Sequence, residues 1–230
     1  MSAPNARRIE RLTLEGKPAF LKRRERLPLR MRLQKGNPDK AFRTERSAHL
    51  RLSNRGLPVP RLLRHDDEAF VTADSGPNLQ MLVRKGRLQP AEQHDALLAA
   101  ATGLGVLHAA GVSHGRPGLK DICWKDGRVT FVDFERALPR RDIPSGHAMD
   151  ALVFFHSLLS EIDDPATIDG ARAVYVAAAP DGISDIAARR VRLIAPIIAV
   201  LHPLLGQMNH KAEFRAIIPT VALFRAQRTQ

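Results

Sequence analysis

The chain has 230 residues and a formal net charge of +12, and 44% of its residues are hydrophobic. This length suits one compact domain or a small two-lobed one, and the apolar content excludes a wholly disordered chain. A single cysteine excludes an intrachain disulfide framework, and no apolar run of about 18 residues predicts a membrane-spanning helix. Because no secretory signal is visible, we expect a cytoplasmic protein.

The first part of the chain predicts short strands followed by one helix. Leu12 and Leu14 alternate with polar residues, and a turn over 15–18 leads into extended structure at 19–22. Asn37 followed by proline is typical of a helix start, and we expect a helix that ends near Asn54, before a glycine.

A strand pair is predicted at 61–72, with a polar turn at 65–68. The segment 73–77 contains Asp, Ser, Gly and Pro, and this composition is typical of a linker. We therefore divide the chain into a small N-terminal lobe over 1–75 and a C-terminal lobe over 76–230, which together form one domain.

The second lobe should be mainly helical, with one hairpin. Apolar residues at three- and four-residue steps predict a helix over 90–110. Asp126-Gly127 between two short apolar runs predicts a hairpin. Further helices are predicted at 149–159, 165–178, 184–205 and 211–226.

Positive charge is concentrated in one stretch. Residues 22–40 hold eight basic residues against two acidic ones. A basic surface favours an anionic partner, such as a nucleic acid, an anionic membrane face or a phosphorylated glycan. The alternative is a protein that simply has a basic surface. Only 5% of residues are aromatic, which makes binding of single-stranded nucleic acid by stacking the less favoured partner choice.

The segment 112–135 carries the residues with chemical potential. It contains His114, then Asp121 seven residues later, and Asp133 within Asp-Phe-Glu after the hairpin. Protein kinases have a catalytic loop H-R-D-x-x-x-x-N followed by D-F-G. Here Arg116 stands where the catalytic base would be, and Asp121 stands in place of the Asn.

With this motif and this order of elements, the chain resembles the protein-kinase-like fold from about residue 8 to residue 159. Within that fold it is similar to small bacterial lipopolysaccharide-core kinases, including the Kdo and heptose kinases, and to atypical small Ser/Thr kinases. The resemblance implies an α+β, two-lobed fold with a small β-rich N-lobe, one helix in that lobe and a mainly helical C-lobe. It also implies ATP and Mg²⁺ as cofactors, and a position in the cytoplasm or at the inner membrane.

The resemblance assigns roles to particular residues. Asp121 and Asp133 would be the Mg²⁺ ligands, since hard carboxylates suit this ion. His114, Arg116 and Asp133 would form the catalytic centre. The alternatives are an Asp133 that ends a strand at the surface and an Asp121 that caps a polar turn. A register with Asp126 as a ligand is excluded, because Asp126 lies in the hairpin turn.

Lys22 and Glu45 are the predicted nucleotide-binding pair. Lys22 ends Ala-Phe-Leu-Lys, which resembles the strand lysine of kinases. Glu45 falls in the apolar arc of the helix that starts at Pro38, where an unpaired carboxylate would be costly. The alternative is that Glu45 reaches solvent or pairs with a nearby arginine, such as Arg43 or Arg46.

Two further expectations concern acidic residues. In the resembling family an Asp at the position of Asp150 braces the catalytic loop, whereas the plain alternative is stabilisation by a helix dipole. If Asp121 and Asp133 meet in one cleft without a cation, at least one of them should have a raised pKa.

The sequence leaves the function open between several classes. The favoured one is a Mg·ATP-dependent phosphotransferase that acts on a lipopolysaccharide-core sugar or a related glycolipid. Arg116 cannot act as a base, and Gly16 is the only glycine before Lys22, so no Gly-rich phosphate loop is present. These two departures favour the alternative of a pseudokinase that binds or regulates. An atypical Ser/Thr protein kinase and a basic nucleic-acid platform are further alternatives, and the oligomeric state stays unknown.

Overall fold

The computed structural model describes residues 8–25, 37–205 and 212–225, without the side chains of 201–205. Residues 26–36, which contain much of the basic stretch, lie outside the described residues. The N-terminal lobe contains a four-stranded antiparallel sheet in the order β1-β2-β4-β3. Its strands are β1 (Ile9–Leu14), β2 (Lys17–Arg23), β3 (Leu62–His65) and β4 (Ala69–Ala73). β1 and β2 are joined by a turn at residues 15 and 16, which is two residues shorter than the predicted turn over 15–18.

Helix α1 (Pro38–Leu52) lies against this sheet. Asn37 caps it by accepting hydrogen bonds from two backbone N–H groups of the first turn. Phe42 packs on Phe70 of β4, with ring centroids 5.4 Å apart. The helix ends two residues earlier than predicted. Its buried face matches the predicted arc and consists of Phe42, Glu45, Ala48, His49 and Leu52.

The chain then crosses into the second lobe and forms α2 (Leu79–Arg84) and α3 (Pro90–Ala109). The predicted hairpin follows as β5 (Ile122–Lys125) and β6 (Arg128–Phe131). It is attached to the connecting segment, because Trp124 N–H donates to the Pro77 carbonyl at 3.0 Å and Lys125 pairs with Asp74 at 3.1 Å. These contacts fix the hairpin beside the sheet.

The rest of the lobe is helical. It comprises α4 (Pro144–Glu161), α5 (Pro165–Ala178), α6 (Ile183–Leu205), α7 (Ala212–Arg215) and α8 (Ile217–Arg225). α3 packs closely on α5 at Gly105, where a Cβ atom would lie 2.7 Å from that of Ala178. The single last helix predicted from the sequence is divided in two, because Pro219 has no N–H to donate to the carbonyl of Arg215.

The predicted fold class is confirmed. The protein has an α+β, protein-kinase-like fold, in which a small β-rich lobe with one helix precedes a mainly helical lobe. None of the described helices is long and apolar enough to cross a bilayer.

A buried polar cluster lies under the segment that joins α3 to the hairpin. His108 Nδ1 is 3.0 Å from the Tyr175 hydroxyl, and its ring stacks on His147 at 4.6 Å. Both ring nitrogens of His147 are buried, and neither has a hydrogen-bond partner among the described residues. Burial, with a smaller contribution from His108, lowers the pKa of His147 to about 4.

This cluster makes stability depend on pH. The unfolded chain protonates His147 near pH 6.5 and the folded chain only near pH 4, so folding becomes less favourable as pH falls between these values. From pH 7 to pH 4.5 the loss should be about 2 kcal/mol. His147→Leu should remove it, as measured by urea unfolding at both pH values. If the two proteins lost the same free energy of unfolding between pH 7 and pH 4.5, the assignment of this loss to His147 would be wrong. Above pH 7.5, the difference between their free energies of unfolding should not change with pH.

Candidate functional site

A cleft of about 690 Å³ lies between the sheet and the hairpin and is lined by both lobes. Its two ends differ in character. One end, beside the connecting segment, is mostly apolar and neutral, whereas the other end carries cations and carboxylates. The first end includes Ala73, Pro77, Met81 and Cys123, whereas Phe70, the cross-strand partner of Lys22, and Val132, which precedes Asp133, lie toward the other end. The second end includes Arg8, Lys22, Glu45, Arg116, Lys120, Asp133 and Glu135.

Lys22 lies at the centre of the charged end. Its side chain, on β2, is 11% exposed, and Nζ donates to Glu45 Oε2 in the predicted ion pair. Nζ is also 3.0 Å from Glu135 Oε1 and 3.5 Å from Asp133 Oδ1. One ammonium group therefore neutralises parts of three carboxylates.

The alternative partners for Glu45 do not apply. Arg43 pairs with Asp39 at 3.2 Å, and Arg46 pairs with Asp67 at 2.9 Å. Burial alone would raise the pKa of Glu45, but the neighbouring His49 and Lys22 outweigh it and hold the pKa below its usual range. The carboxylate is therefore charged while almost fully buried, and it fixes α1 relative to β2.

Glu135 is a site residue that the sequence analysis did not select. It stands where kinases have the glycine of D-F-G, and it accepts hydrogen bonds from both Lys22 and Arg8. It thereby ties the residue that precedes β1 to the floor of the cleft. The signal was in the motif, since a charged residue replaces one that has no side chain.

Asp133 has a positive φ of 65°, which is uncommon for a residue other than glycine. Its carboxylate is partly exposed, with Oδ1 near Lys22 and Oδ2 3.9 Å from Arg116 Nη2. Unusual backbone geometry of this kind is concentrated at functional sites. The predicted residue is thus available at the mouth of the cleft.

Asp121, which was predicted to bind Mg²⁺ together with Asp133, is not among the residues that line the cleft. It is 6% exposed, and its Oδ2 is buried without a hydrogen-bond partner among the described residues. That oxygen lies 3.7 Å from the place that a Cβ on Gly118 would take, so it approaches the loop backbone. Among the described residues, the carboxylates that converge within 4.8 Å are those of Glu45, Asp133 and Glu135.

The pKa of Asp121 is raised, as expected, but burial contributes more to the shift than the neighbouring carboxylate does. Burial raises the pKa of this carboxyl most, and the charge of Asp133 makes a smaller contribution in the same direction. Lys120, His114 and Arg116 act against the shift. Desolvation, more than repulsion between the two carboxylates, therefore dominates.

His114 positions the loop and does not face the cleft, in contrast to its predicted catalytic role. It is 1% exposed, and its Nε2 donates to the Val132 carbonyl at 2.8 Å. Its Nδ1 lies 3.4 Å from the backbone N of Arg116. Both nitrogens are thus directed at backbone groups on either side of the site.

The ring of His114 also begins a series of tilted and edge-on ring contacts that joins the two lobes. It lies 4.7 Å from the ring of Phe134, which is 5.9 Å from the ring of His49 on α1. His49 in turn lies 5.2 Å from Phe70 on β4. The orientation of the segment after Asp133 is therefore coupled to the position of α1.

Asp150 braces the loop, as the resemblance implied. Its carboxylate accepts from the N–H of His114 at 2.6 Å and from that of Gly115 at 2.9 Å. Because α4 begins at Pro144, Asp150 lies beyond the first turn, so the helix-dipole alternative does not explain it. Gly115 has a φ of 95°, and a Cβ there would lie 2.4 Å from the Arg136 carbonyl oxygen.

A second groove, of about 510 Å³, opens on the other side of this loop. Arg116 lines both the cleft and this groove, which we call the arginine groove. Asp150 also borders it, but its carboxylate is engaged by the loop backbone. The arginines that line the groove are Arg116, Arg136, Arg140, Arg141 and Arg190.

The arrangement places three chemical features side by side. A cleft with a neutral end and a cationic end can take a flat group joined to phosphates. Clustered carboxylate oxygens beside it can take a hard cation such as Mg²⁺. The arginine groove, which shares Arg116 with the cleft, can take a second anionic molecule, since guanidinium groups bind phosphate and carboxylate well.

Comparison with known proteins gives a family relationship. No protein-family model matches the chain. The chain is 33% identical over 168 residues to an uncharacterised protein of Haemophilus influenzae, covering 73% of this chain and 69% of that protein. The chain belongs to the same family as this protein.

Among solved structures, the chain is similar to WaaP in complex with acyl carrier protein. The sequence identity is 21%, the TM-score is 0.48, and the match covers 93% of this chain and 86% of that chain.

Asp150 provides a direct test of the loop geometry. Asp150→Ala leaves the N–H groups of His114 and Gly115 without their acceptor and should lower the free energy of unfolding by about 2–4 kcal/mol. Hydrogen exchange at these two amides should become faster. Asp150→Asn retains one acceptor oxygen, so its free energy of unfolding and its exchange rates at the two amides should lie between those of the natural protein and Asp150→Ala. Unchanged exchange at both amides in Asp150→Ala would contradict the bracing role.

Proposed function

We propose that this protein is a Mg·ATP-dependent phosphotransferase that binds the nucleotide in the cleft between its lobes. The observation that carries the proposal is Lys22, which is held at the cationic end of the cleft by the buried Glu45 and lies 3.5 Å from Asp133. Phosphoryl transfer depends mostly on positioning and charge stabilisation, so a fixed ammonium beside a carboxylate is the minimum apparatus.

The residues present fit the expected cofactors. The apolar end of the cleft would hold the base, and Lys22 would contact phosphate oxygens. Mg²⁺ prefers oxygen ligands and bridges phosphates in such sites. Of Asp121 and Asp133, the second is the better ligand for Mg²⁺, because its carboxylate is partly exposed. Asp121 could join it only after its inward-facing carboxylate turns toward the cleft.

Glu135 must yield if phosphates are to reach Lys22. It lies 3.0 Å from Nζ, and a carboxylate at that place repels a phosphate. Arg8, which also pairs with Glu135, could follow it away from the cleft or hold it there. Nucleotide binding thus requires an exchange of partners at Lys22.

The favoured acceptor is a lipopolysaccharide-core sugar or a related anionic glycolipid. The arginine groove supports an anionic acceptor, because five arginines line it and four of them do not line the cleft that contains Lys22. Arg116 lies between the two sites and would orient the transferred phosphate or the acceptor. No base replaces the missing Asp at this position, so the rate would depend on positioning.

A pseudokinase is the second candidate, and two observations favour it. Arg116 occupies the position of the base, and Glu135 already engages Lys22. Such a protein would bind a nucleotide or a partner without transferring phosphate.

Asp133 tests the metal assignment. Asp133→Ala should weaken ATP binding in the presence of Mg²⁺ by about tenfold or more, because a hard ligand is lost. Binding measured without Mg²⁺ should change little. Asp169→Ala, at an exposed position on α5, is the matched control and should bind as the natural protein does. Calorimetric titration with and without Mg²⁺ measures both, and unchanged Mg·ATP affinity in Asp133→Ala would rule out this role.

Arg116 separates the enzyme from the pseudokinase. If it positions phosphate, Arg116→Asp should reduce ATP turnover with membrane extracts by about 100-fold or more, because a carboxylate there repels the reacting group. Arg116→Lys keeps the charge and should retain part of the activity. If Arg116 only replaces a lost base, Arg116→Asp should leave turnover unchanged or raise it. A natural protein that binds Mg·ATP but turns over no acceptor would support the pseudokinase.

A further inference from the structure

Helix α6 leaves a row of large apolar side chains in water. Leu193 is 77% exposed, Ile197 60% and Val200 75%. Their spacing of four and three residues places them on one face of the helix. Ile194, which is 46% exposed, lies beside them. Single exposed apolar residues are ordinary, but a contiguous row marks a surface that is covered in use.

The opposite side of the same helix is anchored in the core. Ala187, Ala188 and Val191 are almost fully buried. The helix therefore needs no rearrangement to present its outer face. The row of Leu193, Ile194, Ile197 and Val200 is here called the α6 face.

An apolar groove of about 540 Å³ adjoins the α6 face. It is continuous with the arginine groove, because Met149, Val153 and Arg190 line both. Apart from His156 and Thr220, the rest of its lining is apolar and includes Leu193, Ile194, Ile198 and Val221. One side of the molecule thus passes directly from clustered guanidinium groups to exposed hydrocarbon.

Positive charge also flanks the α6 face along the helix itself. Arg189 and Arg192 are exposed on the turns that precede Leu193. The only acidic residue of α6 is Asp185, near its start. A helix with apolar residues on one side and arginines beside them is typical of segments that lie in the interface of an anionic bilayer.

We propose that the α6 face is a docking surface for an anionic lipid bilayer. The apolar row enters the boundary between headgroups and acyl chains, and the neighbouring arginines contact lipid phosphates. The net charge of +12 adds a long-range attraction to such a surface. Docking in this orientation holds the arginine groove against the headgroup layer. The inference does not depend on phosphotransfer, since the surface lies outside the cleft.

The test is co-flotation of the full-length protein with vesicles. The probe vesicles contain roughly a third anionic lipid in phosphatidylcholine, and vesicles of phosphatidylcholine alone are the comparison. The protein should float with the anionic vesicles, and high salt should weaken this binding. Absence of binding to anionic vesicles would overturn the proposal.

The variant that tests the surface is the triple change Leu193→Ser, Ile197→Ser and Val200→Ser. All three positions are exposed, so the core is preserved, and vesicle affinity should fall by about tenfold or more. Val106→Ser with Val176→Ser, two exposed apolar positions on α3 and α5, is the matched control and should bind normally. Arg189→Gln with Arg192→Gln should reduce binding to anionic vesicles only.

Four measurements keep the outcome unambiguous. Circular dichroism and ATP titration of the triple variant should match the natural protein, which separates docking from the proposed nucleotide site. Equal vesicle binding by the triple variant would overturn the proposal and assign membrane contact to another basic surface. A natural protein that is dimeric in solution, fails to bind vesicles and becomes monomeric in the triple variant would show that a second copy covers the α6 face.

Discussion

The buried ion pair between Lys22 and Glu45 is the constraint on which the rest of the structure depends. A charge in a nearly dry environment is tolerated only when its partner is held in place, and removing one partner of such a pair typically costs about 3–5 kcal/mol. The pair therefore locks α1 to β2. Because His49 lies one turn after Glu45, the same ion pair also positions His49 within the series of ring contacts that runs from Phe70 to His114.

In the second lobe, short polar contacts position the loop and the strand end on either side of Asp133. Asp150 fixes two backbone N–H groups of the loop, and His114 holds the strand end at Val132. Asp133 lies between these two supports and takes a backbone conformation that a free chain would seldom adopt. In this lobe, Asp133 lines the cleft, whereas the two residues that support it, His114 and Asp150, do not.

Local chemistry made much of the fold predictable. The cap at Asn37, the turn at Asp126-Gly127 and the apolar arc around Glu45 each depend on near neighbours in sequence. The direction of a loop side chain does not. His114 is buried by contacts with Val132 and Asp150, which are distant in sequence, and Asp121 is 6% exposed. Neither residue lines the cleft, so the sequence motif placed them correctly along the chain but not at the cleft. The exposure of Leu193 was equally hidden, since its helical pattern resembles that of a buried helix.

The bond between Arg8 and Glu135 links the cleft to the beginning of the described chain. Any anion that takes Lys22 away from Glu135 also changes the environment of Arg8, which precedes β1 by one residue. Edge strands are held only along one side, so their attachment is easily altered. Occupancy of the cleft and attachment of β1 are therefore thermodynamically linked. If a ligand in the cleft changes the affinity for a partner that binds and holds β1, that partner changes the affinity of the cleft for the ligand by the same factor.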